Sequence, residues 1–313
     1  LEGLLRKVIE KGGKGTIAEV IGLLGKTYSV HGFIVPEDFP TGVAFALMEL
    51  GVRLEVSAGL LFPEREFKTD AEAAAIREGN AASSAGFKVV ERVLRQSKIG
   101  RGEKLYFEGK VVTSERLQMM IEIVCLERGA VSSNTIVAGG NQACDPHCRG
   151  SGPLRANELI IVDIFPRVVK SGFHGDMTRT YLKGTASEAQ RKLVATVFEA
   201  QQTAIMKHVA RASGRKIYDE VCVFFKSQGY CTEVIDGKPV GFFHGLGHGL
   251  GLEVHELPRV NAKGARLKKG QVITVEPGLY YPGLGGCRIE DVVRVHAGVP
   301  EMLSKHGYKW EIR

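Results

Sequence analysis

The sequence predicts an α+β fold: a partial small α/β domain over residues 1–66, then a larger catalytic-sized domain over 67–313 built as two pseudo-twofold halves. Three observations carry this prediction. Residues 70–183 and 185–296 run through one order of elements, helix, helix, strand, strand, without residue-level repetition. Each half opens on a Thr-x-x-Glu signal, Thr69 with Glu72 and Thr185 with Glu188, the capping box that starts a helix. Each half closes on strand-like segments, among them the apolar run in Glu158 to Phe165 of the first half and Gln271 to Val275 of the second.

In order, Leu4 to Leu24 has helical spacing interrupted by glycines at 12, 13 and 15. Ser29 to Val35 alternates like a strand, Val43 to Leu50 reads as a short helix closed by Gly51, and Val52 to Val56 is a second strand. The Ala-rich run after Thr69 is a helix to about Ser97, and Gly100 to Gly109 is a loop. Ser114 to Arg128 is a helix with Leu117, Met120, Ile121 and Val124 on one face and Gly129 at its end. Thr135 to Ala138, Glu158 to Phe165 and Phe173 to Leu182 read as strands. In the second half, helices run from Thr185 to about His208 and from Ser213 to Ser227, the latter with Ile217, Val221 and Phe224 on one face and Gly229 closing it. Strands follow in the His-rich stretch through Leu252 and Val254, ended by a turn at Pro258, then over Gln271 to Val275 and Cys287 to Val295.

With 42 Lys and Arg against 35 Asp and Glu, the net charge is +7, which raises nucleic-acid binding as a function class. The basic residues are scattered and not interleaved with aromatics, so a solvated surface is expected and no nucleic acid. No apolar run is long enough to cross a bilayer and no basic, apolar leader opens the chain, so no membrane partner and a cytoplasmic location are expected. The chain opens on Leu1, as a fragment or processed product would. Six widely spaced cysteines suit reduced thiols. Cys144, His147 and Cys148 offer a zinc knuckle, but they supply only three of the four ligands a structural site needs.

Chemistry concentrates in two places. Gly241 to Pro258 holds His244, His248 and His255 on glycine-rich backbone, where a ligand or second backbone can come close. Four carboxylates sit in or beside apolar strands: Asp163 in LIIVDIF, Asp176 in HGDMTRT, Glu276 in VITVEPG and Glu290 in GCRIEDV. Each alone could be an ion pair with an Arg or an exposed strand edge. Buried together they would repel, and protons or cations must neutralise them. Two divalent cations do so directly, and carboxylates with one imidazole suit Mn, Co, Fe or Zn.

These motifs resemble the pita-bread metallopeptidases, which include methionine aminopeptidases, Xaa-Pro aminopeptidases and prolidases. The likeness covers about residues 67–296. VDIF, GDMTRT, GHGLG, VEPG and RIED stand in the family's order, which implies Asp163, Asp176, His248, Glu276 and Glu290 as ligands of two metal ions, Mn or Co first, with Zn or Fe as alternatives. GHGLGLEVHELP, GCRIED and LFPEREFKTDAEAAAIRE are similar to the proline-specific branch. The resemblance implies a catalytic base at Glu276, which takes a proton from a metal-bridging water. It implies substrate-facing histidines at His147, His244 and His255, and a substrate or charge-balancing role for Arg288. It further implies a peptide substrate with proline second, and a homodimer. A methionine aminopeptidase-like exopeptidase and a non-catalytic binding protein of the same fold are the alternatives. Asp163 and Asp176 lie two residues further apart than the family's usual spacing, an excess that a hairpin tip absorbs without changing either strand's facing. The small first domain is shorter than the family's.

Overall fold

A computed structural model describes residues 2–57 and 61–313 of the chain. They fall into two units, Leu1–Arg65 and Glu66–Arg313. In the first, α1 (Glu2–Glu10) and α2 (Ile17–Thr27) are separated where Gly12 and Gly15 take positive φ, +80° and +74°. Thr16 caps α2 reciprocally with Glu19. Strand β1 (Gly32–Val35) pairs in parallel with β2 (Arg53–Val56), and α3 (Thr41–Glu49) joins them.

The larger unit opens on the Thr69 capping box, which starts the 27-residue α4 (Asp70–Gln96). Beyond it, β3 (Lys98–Ile99), β4 (Leu105–Phe107) and β5 (Lys110–Val111) form a small antiparallel sheet, so the expected loop over 100–109 is partly strand. Helix α5 (Ser114–Glu127) packs on α4 and ends at Gly129, φ +73°. It buries Leu117, Ile121 and Cys125, while Val124 is only half-buried.

Strands β6 (Ala130–Val131), β7 (Ile136–Gly139), β8 (Ile160–Ile164), β9 (Arg167–Val168) and β10 (Met177–Lys183) complete the first half. β8 lies between β7 and β10, antiparallel to both. Asp163 stands opposite Thr178, and Asp176, two residues before Thr178, shares their face. The intervening hairpin turns tightly at Gly172, φ +78°, whose N–H reaches the Val168 carbonyl at 2.8 Å.

The second half repeats the plan with α6 (Glu188–Lys207) and α7 (Gly214–Ser227), then the hairpin β11 (Glu233–Ile235) and β12 (Lys238–Val240). Next come β13 (Gly247–Gly249), β14 (Glu256–Val260), β15 (Val272–Val275), β16 (Gly278–Tyr281), β17 (Gly285–Arg288) and β18 (Asp291–Arg294). With β19 (Glu301–Met302) the central strands form a sheet in the order β14-β13-β15-β18-β19. β20 (Glu311–Ile312) returns to the first sheet beside β10. Each half has its own core, α4 and α5 against the first sheet and α6 and α7 against the second. Among the described residues, no helix is long and apolar enough to cross a membrane.

Four further expectations need correction. Helix α6 is capped by Ser187 with Gln190, not by Thr185 with Glu188. The Thr185 N–H is already taken by Asn157 Oδ1 at 2.8 Å, which holds Thr185 outside the helix. On α7, Phe225 is buried and Phe224 half-buried, because four residues on from Val221 is the inward position. The strand of the His-rich stretch centres on His248, and Pro258 lies inside β14 without ending it. β14 is an edge strand, where a residue lacking an N–H costs no ladder bond. Finally, Cys287 to Val295 is two strands in different sheets, with Ile289 and Glu290 at the joint.

Candidate metal centre

The strand ends of both halves converge on one cavity of about 720 Å³. Asp163 comes from β8 and Asp176 from the residue before β10. His248 is the middle of β13, Glu276 follows β15, and Glu290 occupies the joint between β17 and β18. These five line the cavity together with His147, His244, His255 and Arg288, so all nine residues singled out in the sequence meet there.

Glycines flank His248 for a steric reason. A Cβ at Gly247 would lie 1.9 Å from the Thr274 carbonyl oxygen, and one at Gly249 would lie 2.0 Å from that of Leu257. Only bare backbone lets β13 sit between β14 and β15. His248 Nδ1 lies 3.0 Å from the Gly249 carbonyl, a contact that requires N–H there. Nε2 is thereby turned to the carboxylates, 3.3 Å from Glu276 Oε1 and 3.7 Å from Asp176 Oδ2. A lone pair facing carboxylate oxygens needs a proton or a cation between them.

The remaining carboxylates are held from behind. Thr178 donates to Glu290 Oε2 at 2.8 Å, and Arg179 Nη1 donates to the Glu290 carbonyl at 2.7 Å. Arg288 gives Nη2 to Asp163 Oδ2 at 2.8 Å, Nε to Thr178 Oγ1 at 3.2 Å and Nη1 to the Tyr280 hydroxyl at 3.1 Å. Asp163 Oδ1 is buried and makes no hydrogen bond.

Burial, followed by the neighbouring carboxylates, pushes Asp176 and Glu290 well above the usual carboxylate range. Burial also raises Asp163, against the pull of Arg288. For Glu276 burial acts upward too, but the His248 hydrogen bond and the charges of His248, His244 and Arg288 outweigh it and hold this group down at about 2. Donor atoms of Asp176, His248 and Glu290 all lie within 4.8 Å of one another. Asp163 is turned to Arg288 and Glu276 to His248. Hard carboxylate oxygens, one imidazole nitrogen and a buried, unpartnered Asp163 oxygen make a donor set that fits divalent cations.

The other histidines have distinct settings. His244 Nδ1 lies 2.8 Å from the Gly245 carbonyl and Nε2 2.9 Å from the Tyr280 hydroxyl, and burial lowers its pKa. The ring of His255 is 4.3 Å from that of His248, and desolvation with the charges of His248 and Arg259 brings it down to about 4. His147 sits on an exposed turn, its N–H bound to Asp145 Oδ1 at 2.9 Å. Cys144 and Cys148 are free thiols.

Sequence reasoning missed Tyr280, Thr178 and Arg259. A tyrosine in an apolar strand needs a partner for its hydroxyl, and that signal was available for Tyr280. Arg259 stands directly opposite His248 across β13 and β14 and lines the same cavity, a relation that only the strand register reveals.

Residues 74–297 match metallopeptidase family M24. The chain belongs to metallopeptidase family M24. The pita-bread fold of this M24 chain is shared with the Xaa-Pro dipeptidase from Bacillus anthracis, at TM-score 0.82 and 25% identity over 96% of this chain and 79% of that one. In sequence it is 34% identical to the Xaa-Pro dipeptidase of Pyrococcus furiosus over 55% of this chain and 47% of the relative. It is 29% identical to that of Lactobacillus delbrueckii over 78% of this chain and 59% of the relative. The chain thus spans about half the length of these curated relatives.

Proposed function

We propose that this M24 chain is a dinuclear metal-dependent exopeptidase that hydrolyses the bond between an N-terminal residue and proline. The observation that carries the reading is a deficit of charge: Asp163, Asp176, Glu276 and Glu290 converge on a cavity whose one buried guanidinium is Arg288. Two divalent ions, Mn or Co first and Zn or Fe as alternatives, would be held by these four carboxylates and His248. When bound, they would balance that charge, make the attacking water more acidic and polarise the scissile carbonyl.

The chain's own groups do the rest. Glu276 accepts the proton of the attacking water. His255 faces the scissile carbonyl and donates a hydrogen bond to the oxygen as it gains charge, while His244, its Nδ1 engaged by the Gly245 carbonyl and its Nε2 by the Tyr280 hydroxyl, lines the substrate side of the cavity. Tyr280 fixes the ring of His244 from behind, and His147 covers the leaving-group side. Arg288 keeps Asp163 in place and balances its charge. Ile136, Phe165 and Val254 give the cavity an apolar wall against which a proline ring packs. Proline has no N–H, so a site that grips the free amine and the ring does not depend on that missing donor. Arg259 and Arg149, on the same cavity, offer guanidinium groups to the substrate's C-terminal carboxylate. The names of the three Xaa-Pro dipeptidases that the chain is similar to support the proline preference. A reducing, cytoplasmic setting suits six free thiols.

The test is a hydrolysis screen of Xaa-Pro dipeptides, longer peptides with proline second and Met-Ala peptides, after metal removal and with added Mn, Co or Zn. Release of the first residue before proline, dependent on metal, is expected. Preference for Met-Ala peptides would move the chain to a methionine aminopeptidase-like activity, and turnover insensitive to thorough metal removal would end the mechanism.

A further inference from the structure

The loop between β13 and β14, residues 250–255, carries His255 into the cavity, yet it has little regular structure of its own. What shapes it is the carboxylate of Glu256. Glu256 Oε1 accepts the Glu253 N–H at 3.1 Å, and Glu256 Oε2 accepts from Lys68 Nζ at 2.8 Å. The loop closes on itself through the Gly251 N–H and the Glu253 carbonyl at 3.1 Å. Gly251 packs so tightly on the Glu256 carboxylate that an added Cβ would lie 2.5 Å from its oxygen.

Lys68 comes from 188 residues earlier in the chain, and both side chains are buried, 2% and 8% exposed. Burying an ammonium group is costly unless it is paired and hydrogen-bonded. The backbone around Lys68 is itself fixed. Its N–H binds the Gly270 carbonyl at 2.8 Å, and its carbonyl accepts from Arg294 Nη2 at 2.7 Å. A rigid point at the start of α4 therefore reaches across to the carboxylate around which the histidine loop is wound.

We infer that the Lys68–Glu256 ion pair is the positioning element for His255, holding the 250–255 loop so that the imidazole stays against His248 at the cavity. Lys68 is a positioning residue and does not itself touch substrate. The inference deepens the proposed peptidase reading and rests on it for the consequence in turnover, but the geometric part can be read without turnover.

The experiment compares the full chain with Lys68→Met, Lys68→Arg and the double variant Lys68→Met/Glu256→Leu. Steady-state hydrolysis of an Xaa-Pro dipeptide, metal stoichiometry and the imidazole proton–carbon NMR signal of His255 are measured, the signal being assigned by its loss in His255→Gln. In Lys68→Met, kcat should fall on the order of 10–100-fold while KM and metal content stay within about twofold, the signature of a misplaced group acting in the transition state. Lys68→Arg should recover most of kcat. The His255 signal should shift or broaden in Lys68→Met. The double variant removes both charges and so strands neither partner of the pair, and it should still lack kcat because the Glu253 N–H has lost its acceptor. Full kcat and an unmoved His255 signal in the double variant would overturn the inference, as would a loss of metal that tracks the loss of rate. If the unsubstituted protein hydrolyses no Xaa-Pro peptide, the peptidase reading fails, and the His255 signal alone then decides the positioning.

Discussion

Arg288 Nη2 and Asp163 Oδ2 stand 2.8 Å apart, joining two strands that lie 125 residues apart in sequence, while the other Asp163 oxygen is buried without a partner. The pair is the main local counter to the cavity's negative charge. Arg288→Met should therefore destabilise the metal-free protein by about 3–5 kcal/mol, the cost of stranding one member of a buried pair. Bound cations would give Asp163 another positive partner, so the loss should shrink when Mn is added. Urea unfolding of both proteins with and without Mn measures this. Equal losses in the two conditions would mean that the cations do not reach Asp163.

Helix α4 passes the first-half hairpin at a point where neither chain can carry a side chain. A Cβ on Gly79 would fall 2.3 Å from the Gly175 nitrogen, and one on Gly175 would fall 2.3 Å from the Gly79 carbonyl carbon. The next residues along, Asn80 and Asp176, are joined by a hydrogen bond of 2.9 Å from the Asp176 N–H to Asn80 Oδ1. Gly79→Ala should push Asp176 out of line and weaken metal binding about 10-fold or more, as loss of a ligand's outer support does. Competition with a fluorescent chelator reads the affinity. Gly42→Ala, in α3 with nothing near its Cβ position, should leave it unchanged.

His248 and His255 are neighbours in space but not in duty. The Nε2 of His248 faces Asp176 and Glu276, whereas His255 lies on the exposed loop beyond it. His248→Ala should lower metal stoichiometry, and His255→Ala should keep the metal and lose about 100-fold or more in rate. Metal analysis of both purified variants decides it, and equal loss of metal would show that the two roles are wrongly divided.

The residues that converge on the cavity were legible because burying them is expensive: an acid inside LIIVDIF or VITVEP has to be compensated, and few chemistries do it. The long helices were legible from their caps and periodicity, as Thr69 with Glu72 shows. What remained hidden depends on tertiary partners. Thr185 and Ser187 both offer a cap, and the choice is made by Asn157, which binds the Thr185 N–H from another part of the chain. The break in Cys287 to Val295 arises because β17 pairs with β16 while β18 pairs with β15. No local signal distinguishes that from one continuous strand. Arg259 escaped notice for a similar reason. The register shifts between His248 and Gly249, so its position opposite His248 cannot be counted from sequence spacing.

His208, at the C-terminal end of α6, is fully buried, with Nδ1 2.7 Å from the Ala204 carbonyl and Nε2 without a partner. Burial brings its pKa from 6.5 down to about 4. Between those values the unfolded chain binds the proton and the folded chain does not. Stability from this group is therefore complete above about pH 6.5 and is lost as the pH falls toward 4, by about 3 kcal/mol in full. His208→Leu should remove this component of the acid destabilisation. Urea unfolding at pH 7 and pH 4.5 would show it as a smaller difference in the variant than in the parent. An unchanged difference would mean that the imidazole finds solvent or a partner when charged.

Arg259 bears on substrate length. It stands opposite His248 across β13 and β14 and lines the same cavity as Arg149, so on the proposed reading its guanidinium is available to the C-terminal carboxylate of a dipeptide. A dipeptide ending in proline presents that carboxylate, and a longer peptide presents an amide carbonyl in its place. Losing a charge-assisted contact of this kind costs about 1.5–3 kcal/mol, or roughly 10–150-fold. Arg259→Met should therefore raise KM for Xaa-Pro dipeptides by an amount in that range and change it little for the same sequence extended or amidated at its C-terminus. Paired kinetics on the free and amidated substrates isolate the carboxylate. If both suffer alike, Arg259 acts on the shared part of the substrate or on the His255 ring, whose protonation its charge already disfavours.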